Sequence, residues 1–315
     1  MVIAAAVELD TAAAAGGIES IAPLYGLCIP MKGTASVVDF PSGSGVGILS
    51  GYTPVDDSEL TKLIKERNGV IFGVTNVPEF AAGWVTANPA SGHTRNPYSH
   101  RLTVGGSSGG SASAVASYMC PLAVTEDTGG STRVPASSNQ NFGFDPSRNH
   151  YPNAGNPGMS FTNDQLGVNA RSIQDIILYD KALTAFSTEE AEIAAIHKAA
   201  VAAVDARALS SIKIGTPLYP FVEWTIPAGL NGGSNEGAGW AANTDVREKL
   251  TQAAAALQSA GFTLAREEWP QQYFDYLGRE ENVLLEACWS GELVNGKMMD
   301  VDGIYTFGGQ ISQDL

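Results

Sequence analysis

Apolar and polar positions along this chain switch repeatedly between a helical spacing and short, nearly continuous apolar runs. Residues 57–67 set Leu60, Leu63 and Ile64 on one face behind an acidic first turn, which predicts a helix. Residues 70–74 (VIFGV) read as a short buried strand. The small residues 111–119 (SASAVASYM) are compatible with a helix, and 121–125 (PLAVT) with a further strand. Residues 171–183 (RSIQDIILYDKAL) and the Ala-rich 188–209 carry helical patterns. Ile212–Tyr219 (IKIGTPLY) reads as a strand. Residues 244–260 read as a helix with Thr244 as candidate N-cap and Gly261 where a C-cap belongs, and FTLAREEW (262–269) as a strand. Strands and helices alternating over most of the chain predict an α/β layered fold. The glycine-rich stretch 229–239 (GLNGGSNEGAG) reads as an exposed, mobile insertion.

Composition narrows the function classes. With 44% hydrophobic and 16% charged residues over 315 positions, the chain has the apolar material for a large core and lacks the signature of disorder. Lys and Arg number 18 against 33 Asp and Glu, a formal charge of −15. Such a field repels phosphate backbones and anionic membranes, so no nucleic-acid partner is expected. Cys28, Cys120 and Cys288 form no CxxC pair, and His93, His100, His150 and His197 lack HxxxH or HExxH spacing, so neither a disulfide framework nor a metal site is expected. The N-terminal MVIAAAVELDTAAAAGG has no Lys or Arg before its apolar run and is interrupted by Glu8 and Asp10, a poor match to a secretory signal. No apolar stretch approaches the ~18 to 20 residues of a membrane span. A cytoplasmic location is the expectation.

The candidate chemistry lies in residues 103–138, which hold two Gly-Gly-Ser turns, GGSSGG and TGGS, separated by helix-like and strand-like segments. Glycines allow positive φ and close backbone approach, so a serine on such a turn can be flanked by main-chain N–H groups, as a nucleophile beside an oxyanion hole requires. A plain Gly/Ser loop or a phosphate cradle are the alternatives. No Lys follows GGSSGGSA, which excludes a P-loop, and GSGVG (43–47) lacks the third glycine and acidic partner of a dinucleotide fingerprint. Taken singly, Lys32 reads as a strand-end lysine, Ser107 as a helix N-cap and Ser131 as a turn serine.

The order of four blocks is more specific. PLYGLCIPMKG, GVTNVPEFAAGWVTANPASGHTRNPYS, GGSSGGSASAVASYMCPLAVTEDTGGSTRVPAS and GFDPSRNHYPNAGNPGMSFTNDQLGVNARSIQDI together resemble the amidase signature family over residues 22–183. The resemblance implies a mixed central β-sheet between α-helical layers, with residues 1–315 as one domain whose part 210–315 is divergent. It also implies a Ser-Ser-Lys relay without metal or cofactor. Lys32 matches the lysine, Ser107 the bridging serine in a cis peptide bond, and Ser131 the nucleophile. The N–H groups of Thr128, Gly129, Gly130 and Ser131 match the oxyanion hole, and Ser108, Asp127 and Arg133 match supporting positions. A serine hydroxyl needs a base to attack, and Ser-Lys arrangements are a recurring solution. Lysine serves as base only when neutral, the form that the apolar surroundings of Leu27–Met31 favour. An ion pair of Arg133 with Asp127 or Glu126 would hold the nucleophile turn. Trp84, Tyr98 and Phe142 are candidates for an acyl pocket or for core. His93 and Arg95 read as structural, and Cys28 and Cys120 as small buried residues.

Three of the matched segments depart from the family's usual pattern. Gly33 follows the lysine where Asp is common, Thr125-Glu126-Asp127 stands for Gly-Thr-Asp, and Asp145 takes a basic position in Gly143–Ser147. Family members also have more chain on both sides of the matched region, which raises the expectation of a homo-oligomer or partner chain that completes the fold. The resulting reading is a serine-type hydrolase of a small-molecule carboxamide. The alternatives are a catalytically silent structural relative and a glutamine-dependent amidotransferase-type subunit.

Overall fold

The computed structural model describes residues 2–16, 23–160, 163–184, 208–217, 224–225, 239–240, 244–267, 293–294 and 297–298. The chain divides into two compact units, Met1–Ala195 and Ile196–Leu315. The expected helix 188–209 lies outside the described residues up to 207, as does the expected insertion 229–239 up to 238.

The first unit runs α1 (Val2–Gly16), β1 (Cys28–Lys32), α2 (Glu59–Glu66), β2 (Val70–Thr75), β3 (Ala87–Asn88), β4 (Gly92–His93), α3 (Gly109–Ala116), β5 (Leu122–Asp127), α4 (Arg133–Ser138), β6 (Phe142–Phe144), β7 (Gln165–Ala170) and α5 (Ile173–Thr184). β1 and β2 pair in parallel, as a strand–helix–strand crossover through α2 requires. β5, β7 and β6 form an antiparallel sheet with β7 in the centre, and β1 packs beside β5. Parallel and antiparallel pairs thus coexist in an α/β unit.

Local chemistry explains the elements. Ser58 caps α2, its side chain accepting from Thr61 N at 3.3 Å, and the helix buries Leu60 and Ile64 on the predicted face. α3 stops earlier than its composition predicts: Ser117 Oγ bonds back to Ser113 O and Tyr118 turns to φ +61, which no continuing helix accommodates. Ile29 and Met31 of β1, Leu122 and Val124 of β5, Leu166 and Val168 of β7 and Tyr179 of α5 meet Leu60 and Ile64 in one core. Each fully buried aliphatic side chain contributes about 1.5–3 kcal/mol. Every residue of β5 is buried, so the two acidic residues at its end, Glu126 and Asp127, must find partners inside the protein.

In the second unit, β8 (Lys213–Pro217) and β11 (Thr263–Glu267) pair in parallel around α6 (Thr244–Ser259). Gly261 closes α6 at φ +98, its N–H donating to Gln258 O at 3.0 Å while Phe262 N–H reaches Leu257 O at 3.1 Å, the terminating geometry glycine permits. The short pairs β9 (Trp224–Thr225) with β10 (Gly239–Trp240) and β12 (Leu293–Val294) with β13 (Lys297–Met298) are antiparallel.

Candidate active site

β1 carries Lys32 at its C-terminal end, where its amine is enclosed on every side. Lys32 is 0% exposed. Its Nζ donates to Ser107 Oγ at 2.7 Å, to the main-chain oxygen of Glu126 at 2.9 Å and to Glu126 Oε2 at 2.6 Å. An ammonium has three N–H groups, and all three are used.

Ser107 is fully buried and follows a cis peptide bond from Gly106. Only glycine fits before it, because a Cβ at Gly106 would stand 2.6 Å from the main-chain oxygen of Gly83. The N-cap of α3 is Ser108 rather than Ser107, and it makes no side-chain cap bond. Ser108 instead joins the two serine turns: its N–H donates to Ser131 O at 3.2 Å and its Oγ to Glu126 O at 3.2 Å.

Ser131 lies on the turn between β5 and α4 and is 7% exposed. Its Oγ has no hydrogen-bond partner among the described residues. The structure therefore joins Lys32 to Ser107 by a side-chain bond and Ser131 to Ser108 through the main chain, with no Ser107–Ser131 side-chain bond. The turn is held by Asp127, whose Oδ1 accepts from Gly130 N–H and whose Oδ2 accepts from Thr132 N–H at 2.7 Å. Gly130 takes φ +116, a conformation glycine tolerates.

One of the four N–H groups expected to form the oxyanion hole has a side-chain partner here. The Gly130 N–H is committed to the Asp127 carboxylate, because that charge is buried and must be satisfied by nearby donors. Thr128, Gly129 and Ser131 make no main-chain N–H bond to the described residues outside the strand ladder.

The expected ion pair of Arg133 is resolved in favour of Asp127, through Nη2 to Oδ1 at 3.1 Å and Nε to Oδ2 at 3.2 Å, and it also reaches Asp145 Oδ2 at 3.0 Å. Successive side chains leave a strand on opposite faces, so Asp127 turns to Arg133 while Glu126 turns to Lys32. Burial pushes the Asp127 carboxyl up, but Arg133 and the N–H groups of Thr132 and Gly130 outweigh it and hold the group below its ordinary value.

A second carboxylate adjoins the lysine pair. Thr128 Oγ1 lies 3.2 Å from Glu126 Oε1 and in a short hydrogen bond with Asp164 Oδ1, while Asp164 Oδ2 accepts from Ser160 N–H at 2.8 Å. Burial first, and then the Glu126 charge, push Asp164 up to about 6. An unfolded aspartate titrates near 3.8. Its contribution to stability is therefore complete below the unfolded value and is lost as pH rises through about 6. The loss is at most about 3 kcal/mol at ~1.4 kcal/mol per unit. Asp164→Asn is expected to be insensitive to this titration, so the difference in melting temperature between variant and wild type should grow in the variant's favour from pH 4 to pH 7. A constant difference across that range would contradict the shift.

The other sequence candidates separate. Trp84, Tyr98 and Phe142 are exposed rather than core, Trp84 at 60%. Cys28 is exposed, against the expectation of burial, while Cys120 is buried and its thiol pushed up to about 12 by burial. His93 is exposed on β4, and Arg95 offers its main-chain oxygen to Ser113 Oγ at 3.0 Å. A cavity of about 410 Å³ lined by Gly33, Ser44, Thr75, Asn76 and Val77 touches neither Ser107 nor Ser131. Among the described residues no three His, Cys, Asp or Glu side chains converge as metal ligands would, and no helix is long and apolar enough to cross a membrane. Sequence reasoning missed Glu126 as the partner of Lys32, and missed the Thr128 hydroxyl and Asp164 beside it. The one available signal was the departure from Gly-Thr-Asp at Thr125-Glu126-Asp127.

The family model described as Amidase matches residues 1–277. A glutamyl-tRNA(Gln) amidotransferase subunit from Acidothermus cellulolyticus is 37% identical over 189 residues, 60% of this chain and 37% of that protein. The same subunit from Methanothermobacter thermautotrophicus is 40% identical over 171 residues, 54% of this chain and 37% of that protein. The match thus spans well under half the length of these curated relatives. Among solved structures, the peptide amidase from Stenotrophomonas maltophilia superposes with TM-score 0.69 at 22% identity, covering 99% of this chain and 62% of that one. A fatty acid amide hydrolase superposes with TM-score 0.67 at 19% identity, covering 99% of this chain and 56% of that one. Both likenesses concern the fold.

Proposed function

This chain belongs to the amidase family, and from that premise we propose that it hydrolyses a carboxamide through an acyl-enzyme on Ser131. One observation carries the reading: a fully buried lysine amine 2.7 Å from the hydroxyl of Ser107, next to the nucleophile turn. Neutral Lys32 draws the proton of Ser107, Ser107 draws that of Ser131, and Ser131 Oγ attacks the amide carbonyl. Free N–H groups of the turn meet the developing oxyanion, where one such donor is worth ~10²–10³ in rate. The relay returns the proton to the leaving nitrogen, and water releases the acyl group by the same path. The open Ser107–Ser131 step is in keeping with a site without substrate, since catalytic hydrogen bonds often tighten only in the complex.

A fluorophosphonate probe tests this, because it phosphonylates only an activated serine. The expected result is a single adduct mapped by peptide mass to Ser131. A folded, monodisperse sample that takes no label overturns the reading. A second reading, in which the chain works together with a partner, is supported by the amidotransferase subunits among the relatives. Ammonia release from glutamine, measured with the purified chain, separates it from hydrolysis of other amides.

A further inference from the structure

We propose that the relay extends past Lys32 to the Glu126 carboxylate, which takes the proton that Lys32 must shed before it can act as a base. The proposal rests on the reading of Lys32, Ser107 and Ser131 as the hydrolytic relay. It makes Glu126 a positioning residue, acting through Lys32 and touching no substrate.

The observation is the donor count at Nζ. With three N–H groups directed to Ser107 Oγ, Glu126 O and Glu126 Oε2, Lys32 in its ammonium form has no lone pair to offer Ser107. Its side chain is 0% exposed and that of Glu126 5%, so the proton has no direct route to water from Nζ. The nearest base is Glu126 Oε2, 2.6 Å away.

The step balances within the pair. The Nζ–H bond facing Glu126 breaks and an O–H bond forms on Oε2, converting ammonium and carboxylate into amine and carboxylic acid. Rotation about Cε–Nζ then turns the lone pair to Ser107, leaving N–H groups for Glu126. The Ser107 proton passes to Nζ and that of Ser131 to Ser107 Oγ as Ser131 attacks. Collapse of the tetrahedral intermediate reverses the transfers and places one proton on the leaving nitrogen. The pair thus stores the nucleophile's proton without exchange with solvent.

The charged groups around the pair are few among the described residues. From the segment before β7, Asp164 meets Glu126 through Thr128 Oγ1; on the opposite face of β5, Asp127 is held by Arg133, which also reaches Asp145. Asp164, pushed up to about 6, is ionised throughout pH 7–9, so that window reads the pair itself.

An internal acceptor predicts a particular pH profile. A proton that moves from Lys32 to Glu126 stays in the protein, so the fraction of neutral lysine does not depend on pH while the pair keeps one shared proton. Glu126→Gln preserves an oxygen for the Nζ–H but cannot take the proton, which must then go to solvent.

The test is the rate of fluorophosphonate labelling of Ser131 from pH 7 to 9 in the full chain, as wild type, Glu126→Gln, Glu126→Asp and Lys32→Ala. The expected wild-type rate is nearly flat. Glu126→Gln is expected to lose the flat profile, its rate falling below wild type toward pH 7 and rising with pH, with Glu126→Asp recovering part of the rate and the flat profile. Wild-type rate and profile in Glu126→Gln overturn the proposal and leave the relay standing. A slow but flat Glu126→Gln also overturns it, since that pattern marks a structural loss. An unlabelled wild type overturns the relay, and this proposal with it.

Discussion

Ser131→Ala is expected to abolish both fluorophosphonate labelling and amide turnover while leaving the fold unchanged. The reasoning separates chemistry from structure. Chemically, neither of the other two serines in the facing turn is free to take its place: Ser107 is fully buried against Lys32, and Ser108 is bonded to Glu126 O. Removal of a nucleophile that acts as a unit with its base costs about 10⁴–10⁶ in rate. Structurally, the Ser131 hydroxyl has no partner among the described residues, so its loss orphans nothing. The turn is held by the main chain, through Asp127 to Gly130 and Thr132 and through Ser108 N–H to Ser131 O. Stability within about 0.5 kcal/mol of wild type is expected by chemical denaturation. Turnover within tenfold of wild type would remove Ser131 from the mechanism.

Much of the first unit was legible because its core positions follow the helical and strand periods. Leu60 and Ile64 set the inner face of α2, and Val70 and Ile71 begin a strand that burial bears out. What escaped has little hydrophobic pattern. β7 (QLGVNA) occupies the centre of its sheet, yet Gly167 and Asn169 interrupt its apolar run, and only pairing with β5 and β6 makes it a strand. α4 starts within a motif whose composition reads as turn. The exposure of Trp84 and Phe142 was equally hidden, because aromatics usually signal core and only the packing of neighbours decides.

At the site, the residue types were legible from the order of motifs, but their pairing was not. Arg133 was free to choose between Glu126 and Asp127, two adjacent carboxylates, until strand geometry sent them to opposite faces. That alternation also decides what surrounds the lysine. The Glu126 carboxylate stands 2.6 Å from the lysine amine, with the two side chains 5% and 0% exposed. In the proposed relay Glu126, an acidic residue where the family commonly has a neutral one, takes part in the chemistry rather than merely in the packing.

Replacing Lys32 should therefore have two separable effects. Lys32→Met is expected to lower the labelling rate of Ser131 by several orders of magnitude and also to destabilise the protein. The alkyl stem is preserved, so the packing loss is small. What remains is the Glu126 carboxylate, 5% exposed and without its cation, together with a Ser107 hydroxyl that loses its donor. Breaking a buried pair by removing one partner costs about 3–5 kcal/mol. That is a large share of the ~5–15 kcal/mol that hold a typical domain together. Lys32→Met combined with Glu126→Gln removes the stranded charge, and replacing both members of a buried pair is often close to neutral. The double variant is thus expected to regain most of the stability by denaturant titration and none of the labelling. Recovery of labelling along with stability would mean that Lys32 serves only to hold the fold, and that the base lies elsewhere.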